Sequence, residues 1–313
     1  MQAVEVAFIH PQPQRAEEYL RALEPALPGL TLRVWPDIPD PAAIDVALVW
    51  QPPPGALAAL PRLELIVNLG MGVDYLLRAP DLPRGVPIAR LVDPNMVEQM
   101  CEYVLCCVLY YHRRFDVYQR MQAQSRWHEL PLPHTRLRRV GVLGLGAIGG
   151  FIARRLAEIG FDVAGWSHSP KSIERVASFA GSGQLTAFLN RTEILTCVLP
   201  LTPATTGIID ATALAALPRG AYVINIARGQ HVVEEDLLAA LESGHIAGAT
   251  LDVVRREPLP AGSPLWTHPA VRITPHIAGL TNPATAAPQI ADNIARVRAG
   301  KPPLNVVDPA RGY

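Results

Sequence analysis

Hydrophobic residues along this chain come in short runs, separated by polar connections rich in proline and glycine, and the runs fall into two series. In the first, Val4–Ile9, Thr31–Trp35, Val46–Trp50 and Leu65–Leu69 predict strands. Arg15–Leu27 predicts a helix, with Tyr19, Leu20, Leu23 and Leu27 at helical spacing. A long apolar stretch, Met96 to Gln124, predicts a single helix. It is too long for a routine crossover, so it reads as a connection between domains and a surface for a dimer. In the second series Val140–Leu143, Asp162–Trp166, Ile194–Leu199, Ala221–Ile226, Ala249–Val253 and Val271–Thr274 have the apolar character of strands buried on both faces. Ile148–Ile159 and Glu234–Ser243 are helical segments between them, and a last helix, Ala284–Ala299, is expected to return to the first domain. Alternation of this kind predicts an α/β fold of two Rossmann-like domains with parallel sheets. The expected division is residues 1–96 with 283–313, and residues 97–282.

Composition narrows the function classes. With 313 residues, 49% hydrophobic and 18% charged, the chain has the composition of a folded protein rather than a disordered one. Twenty-eight basic and 28 acidic residues give a formal net charge of zero, which argues against a nucleic-acid partner. No apolar run reaches the length of a membrane span, and the alternating start lacks the charge and apolar blocks of a signal peptide. A cytosolic protein is the expectation. Cys101, Cys106 and Cys107 share the long predicted helix and Cys197 lies in a strand, which suits reduced, buried thiols and no metal.

The most specific motif follows the strand Val140–Leu143, where Gly144, Gly146 and Gly149 form a G-x-G-x-x-G loop that opens a helix. Gly144 permits the tight turn, Gly146 lets a pyrophosphate approach the backbone, and Gly149 lets helix and strand pack closely. Ala147 and Ile148 bring the unpaired N–H groups and positive end of that helix to the phosphates. The next strand ends at Ser167, His168, Ser169, Pro170 and Lys171, with no carboxylate to bind a ribose 2′-hydroxyl and none to repel a 2′-phosphate. Ser167, Ser169 and Lys171 can donate to such a phosphate, so NADP(H) is the expected cofactor, with NAD(H) as the alternative. Leu199, Pro200, Ile226, Ala227 and Asp252, at or beyond the ends of neighbouring strands, complete the expected cofactor set.

Arg228, Glu257 and His276 each follow the carboxyl end of a predicted strand in the second series. Ligands of open α/β sheets bind along that edge, so residues far apart in sequence can converge there. Hydride addition to a carbonyl leaves charge on oxygen, which a histidine such as His276 can neutralise as general acid. Glu257 would orient the ring and favour its charged form. Arg228 can bind a substrate carboxylate or polarise the keto oxygen. In the first series the loop Gly70-Met71-Gly72 reads either as an anion-binding nest or as an ordinary strand–helix turn. Trp50 reads as a wall of the same substrate site or as core packing.

These residues resemble the D-2-hydroxyacid dehydrogenases. The resemblance is carried in order by Gly144–Gly149, Asn225-Ile226-Ala227-Arg228-Gly229, Leu251-Asp252-Val253 with Glu257-Pro258, and Thr274-Pro275-His276. In detail it is similar to the glyoxylate/hydroxypyruvate reductase A branch, through Ala47–Trp50, Gly70–Asp74, Trp166–Ser169, Val232–Glu234 and Ala310–Tyr313. Two departures stand out. His168 occupies a position where arginine is common in the branch, and a neutral imidazole grips a 2′-phosphate less firmly. Asp93–Met100 departs from the pattern of the wider family. The resemblance implies a cofactor domain inserted into a discontinuous substrate domain, with a cleft that closes on binding. It also implies a homodimer, substrate binding by Arg228 and by the Gly70, Met71 and Gly72 loop, His276 as the acid/base and Glu257 as the residue that orients it. Small 2-keto acids such as glyoxylate and hydroxypyruvate are the expected substrates. A reductase for bulkier acids such as phenylpyruvate, or a non-catalytic dinucleotide sensor of the corepressor kind, are the alternatives.

Overall fold

A computed structural model of the chain describes residues 4–310 and 312, so Arg311 and Tyr313 of the terminal motif lie outside the described residues. The chain divides into two compact units, one of the residues up to Met96 with those from Leu280, the other of Val97–Gly279. The first unit runs β1 (Glu5–Ile9), α1 (Ala16–Leu23), β2 (Thr31–Val34), β3 (Val46–Val49), β4 (Leu65–Asn68), α2 (Asp74–Leu77) and β5 (Ile88–Arg90). Helix α3 (Pro94–His112) carries the chain into the second unit. There follow α4 (Phe115–Ala123), β6 (Arg139–Leu143), α5 (Ala147–Ile159), β7 (Asp162–Ser167), β8 (Val176–Ala180), α6 (Ser182–Asn190) and β9 (Ile194–Cys197). The unit ends with α7 (Ala211–Ala216), β10 (Ala221–Asn225), α8 (Glu234–Glu242), β11 (Ile246–Leu251) and β12 (Val271–Ile273), and α9 (Pro283–Arg298) belongs to the first unit again.

Both sheets are parallel. The first has five strands in the order β2-β1-β3-β4-β5, the second seven in the order β12-β11-β10-β9-β6-β7-β8. Strand order reverses between β1 and β3 in one and between β6 and β9 in the other, and such switch points open a crevice at the carboxyl ends of the strands. The continuous apolar runs have their expected cause. In β1, Val6 and Phe8 face a layer containing Tyr19 and Leu23 of α1 and Ile290 and Ile294 of α9, while Ala7 and Ile9 face Leu57, Leu60 and Leu76 on the other side. In the second unit, Val140 and Val142 pack with Val104 and Val108 of α3 and Ile152 and Leu156 of α5. Leu195, Val223 and Leu251 pack on the opposite face with Leu214 and Leu237.

Three expectations need correction. The stretch read as one helix from Met96 to Gln124 is two, because Arg114 adopts a left-handed backbone (φ 62°) and Arg114 N–H donates to Tyr111 O at 3.1 Å, closing the first helix. Strands β5 and β8 carry no pattern that announced them: one is three residues long, the other half-exposed at a sheet edge. Cys106 is exposed rather than buried, whereas burial pushes the thiols of Cys101 up to about 11 and of Cys107 and Cys197 up to about 12. Among the described residues no helix is long and apolar enough to cross a membrane, and no cluster of His, Cys, Asp and Glu could hold a metal ion.

Candidate active site

The glycine loop lies at the switch point of the seven-stranded sheet. Gly144 leaves β6 at φ 112°, a conformation that side chains disfavour, and a Cβ on Gly149 would stand 1.7 Å from the Gly144 carbonyl oxygen. Those two glycines are therefore demanded by the turn itself. Gly146 is different: a Cβ there would meet nothing within 4 Å, so its backbone borders open space. That space is a cavity of ≈ 310 Å³ lined by Leu145, Gly146, Ala147, Gly150, Arg154 and Lys171, among others. The first N–H groups of α5 lack helical acceptors, as at any helix start. An open backbone at Gly146, a helix N-terminus and two cations fit the phosphates of a dinucleotide. Arg154 was not singled out in the sequence, although it lies two turns beyond Gly146 on one helix face.

Beyond β7, Ser167 is buried and its hydroxyl donates to Ser169 O at 2.7 Å, shaping the loop, while His168, Ser169 and Lys171 are exposed. Leu199, Ile226 and Ala227 are buried where β9 and β10 end, and Pro200 is exposed.

Arg228, Glu257 and His276 follow β10, β11 and β12, which are neighbours in the sheet. His276 Nδ1 and Glu257 Oε2 are 2.8 Å apart, and Glu257 Oε1 accepts from Val254 N–H at 3.2 Å. Burial alone would raise the Glu257 carboxyl. The hydrogen bond and charge of His276, the Val254 N–H and the Arg228 guanidinium outweigh it and hold the group below its ordinary value. His276 is itself in the left-handed region (φ 56°), a costly place for a non-glycine residue. Asp252 over-determines that conformation. Its carbonyl accepts from His276 N–H at 2.8 Å, and its buried carboxylate accepts from Thr274 Oγ1, Ile277 N–H and Ala278 N–H at 2.6, 2.8 and 2.9 Å. Thr274 Oγ1 in turn lies 2.6 Å from Tyr103 OH, and since Thr274 gives its proton to Asp252, Tyr103 is the donor. Arg228 is fixed from below. Asn225 Nδ2 donates to Arg228 O at 2.8 Å, Asn225 Oδ1 accepts from Ala227 N–H at 3.1 Å, and Arg228 Nη1 donates to Ala227 O at 2.8 Å.

The first unit repeats the device at β4. Buried Asn68 donates through Nδ2 to Gly70 O at 2.7 Å and to Gly72 O at 3.0 Å, and Tyr75 OH donates to Asn68 Oδ1. The carbonyls of the loop are thus drawn toward Asn68, while the N–H groups of Gly70, Met71, Gly72 and Val73 have no acceptor among the described residues. Trp50 packs on Gly70, where a Cβ would come within 2.4 Å of its ring, and edge-on to Tyr75 at 5.4 Å. Asn68 and Asn225 went unmarked in the sequence. A polar residue closing an apolar strand just before a glycine-bearing turn is the signal that points to both.

Three comparisons bear on this arrangement. The family model for the NAD-binding domain of D-isomer specific 2-hydroxyacid dehydrogenases matches residues 105–278. A glyoxylate/hydroxypyruvate reductase A from Serratia proteamaculans is 48% identical, covering 98% of this chain and 99% of that protein. The chain belongs to the D-isomer specific 2-hydroxyacid dehydrogenase family. Among solved structures, a 2-hydroxyacid dehydrogenase of the same family from Xanthobacter autotrophicus Py2, in complex with NADPH and MES, is 48% identical with a TM-score of 0.95 over 99% of both chains. An NADPH-dependent glyoxylate/hydroxypyruvate reductase from Sinorhizobium meliloti, in complex with NADP and sulfate, is 36% identical with a TM-score of 0.93, covering 99% of this chain and 100% of that one. As a member of this family the protein is an NAD(P)-dependent oxidoreductase.

Proposed function

We propose that this dehydrogenase reduces glyoxylate and hydroxypyruvate to the corresponding 2-hydroxy acids, using NADPH in preference to NADH. The observation that carries the reading is the His276–Glu257 pair, 2.8 Å apart on the sheet edge that also bears the dinucleotide loop. When bound, the nicotinamide supplies the hydride. Nδ1 of His276 is engaged by Glu257, which leaves Nε2 as the nitrogen that delivers a proton to the carbonyl oxygen. Glu257, its carboxyl held below the ordinary value, stays ionised beside the ring as the partner of Nδ1. Arg228 supplies a permanent charge for the substrate, in a planar geometry suited to a carboxylate. The unclaimed amides at Gly70, Met71 and Gly72 suit a carboxylate as well, and Trp50 stiffens their loop.

Support for NADPH comes from Lys171 and Arg154 on the cavity beside Gly146, from the lack of an acid after β7, and from the NADP(H) complexes of relatives. The protein is further proposed to be a cytosolic homodimer.

The test is NADPH oxidation followed by absorbance with glyoxylate, hydroxypyruvate, pyruvate and phenylpyruvate, repeated with NADH and with His276→Ala. Rapid turnover of the two small acids with NADPH is expected. His276→Ala should lose about 10²- to 10⁴-fold in kcat, the usual worth of a positioned acid. Turnover of phenylpyruvate alone would overturn the substrate assignment, and full activity in His276→Ala would overturn the mechanism.

A further inference from the structure

His231, on the turn that follows Arg228, is fully buried and in contact with two parts of the site. Its Nδ1 lies 3.2 Å from Arg228 N and 3.0 Å from Arg228 O, and its Nε2 lies 3.3 Å from Pro200 O. The proton can be placed from the neighbours. Arg228 O already accepts from Asn225 Nδ2 at 2.8 Å and from His231 N–H at 3.1 Å, which fills both lone pairs of that carbonyl. Arg228 N–H needs an acceptor, and Nδ1 supplies it. Nε2 therefore carries the proton and donates to Pro200 O. A neutral ring in this tautomer avoids burying a charge. Gly229, between the two residues, has no room for a side chain, since a Cβ would stand 1.9 Å from the Val254 carbonyl carbon. The turn packs directly on the backbone of the segment that follows β11.

We propose that His231 is a positioning residue. It ties the backbone of Arg228 to the Leu199–Pro200 segment, so that the substrate arginine and one wall of the dinucleotide site keep a common register. This rests on the function proposed above for Arg228 and the cofactor loop.

The two bonds can be separated by substitution. In His231→Asn, Oδ1 replaces Nδ1 as acceptor for Arg228 N–H, but the side chain is too short to reach Pro200. In His231→Gln the terminal amide keeps a donor for Pro200 and the acceptor beside Arg228 is lost. Steady-state kinetics, NADPH titration by fluorescence and melting temperature are to be measured for the intact protein and for His231→Asn, His231→Gln and His231→Ala. For His231→Asn we expect a keto-acid KM within about threefold of the parent and NADPH binding weakened about fivefold. For His231→Gln we expect the reverse, with the keto-acid KM raised about tenfold, as the loss of one hydrogen bond implies. His231→Ala should shift both constants, with kcat less affected than either. A histidine that merely fills the core would lower the melting temperature and move both constants alike in the Asn and Gln variants; that result overturns the proposal. If the parent protein turns over no keto acid, the function reading fails. The NADPH titrations of the Asn and Gln variants would still decide whether His231 braces Pro200.

Discussion

His276 and Glu257, to which the proposed function gives the proton transfer, are each held by several neighbours. The backbone strain of His276 is fixed by Asp252, and the carboxyl of Glu257 is held low by its neighbours against the pull of burial. The sign of a pH effect follows. Reduction needs a protonated acid, so the rate should fall as pH rises through the apparent pKa of the pair. Glu257→Gln removes the negative charge beside the His276 ring, and that limb should move to lower pH. The pair's contribution to stability is present at neutral pH and is lost as pH falls through the depressed carboxyl value. With side chains 31% and 35% exposed, solvent screens it, so the melting temperature at neutral pH should hardly change. A pH–rate profile beside a melting curve checks both, and an unmoved limb would count against the pairing. Arg228, Glu257 and His276 were legible in the sequence because charged and acid–base residues are conspicuous just past apolar strands. Asn68, Asn225 and His231 were not, because their partners are backbone atoms of turns, whose positions no residue pattern displays.

At the scale of elements, legibility followed burial. Strands covered on both faces, such as β3, β4 and β10, read as unbroken apolar runs and were found to within a residue or two. Strand β8 pairs on one side only and mixes Ser178 among apolar residues, so it lacked that signature. The break between α3 and α4 falls at Arg114, with neither proline nor glycine to mark it. Turns after strands are more demanding than the strands themselves, and the β4 turn offers a test. A Cβ at Gly70 cannot coexist with the Trp50 ring as it stands, so Gly70→Ala should cost about 1–3 kcal/mol, the usual penalty for overpacking. Trp50→Phe shortens the ring at the point of contact and should relieve much of that cost. Chemical denaturation of both single variants and the double variant would give a coupling of about 1 kcal/mol or more. Simple additivity would mean that the loop yields and that Trp50 does not constrain it.

For the molecule as a whole, the composition gives no net charge, with 28 residues of each sign. What the exterior does carry is a concentration of large apolar side chains in one stretch of the second unit. Phe115, Trp127, Leu132 and Leu137 are all exposed, and Trp127 is fully so, at 101%. Most of this stretch lies beyond α4 and has little regular structure, so helix or strand packing does not account for the apolar choice. Apolar surface grouped in this way is unusual for a monomer and typical of an interface. The homodimer proposed above gives that surface an occupant, a second copy of the chain. Light scattering over a range of concentrations should then return about twice the chain mass of 33.9 kDa. Buried interface tryptophans are common anchors, worth about 2 kcal/mol or more on truncation. Trp127→Ser should therefore weaken the dimer about 30-fold and bring the monomer into the measurable range, while a scattering mass of one chain at every concentration would refute the dimer outright.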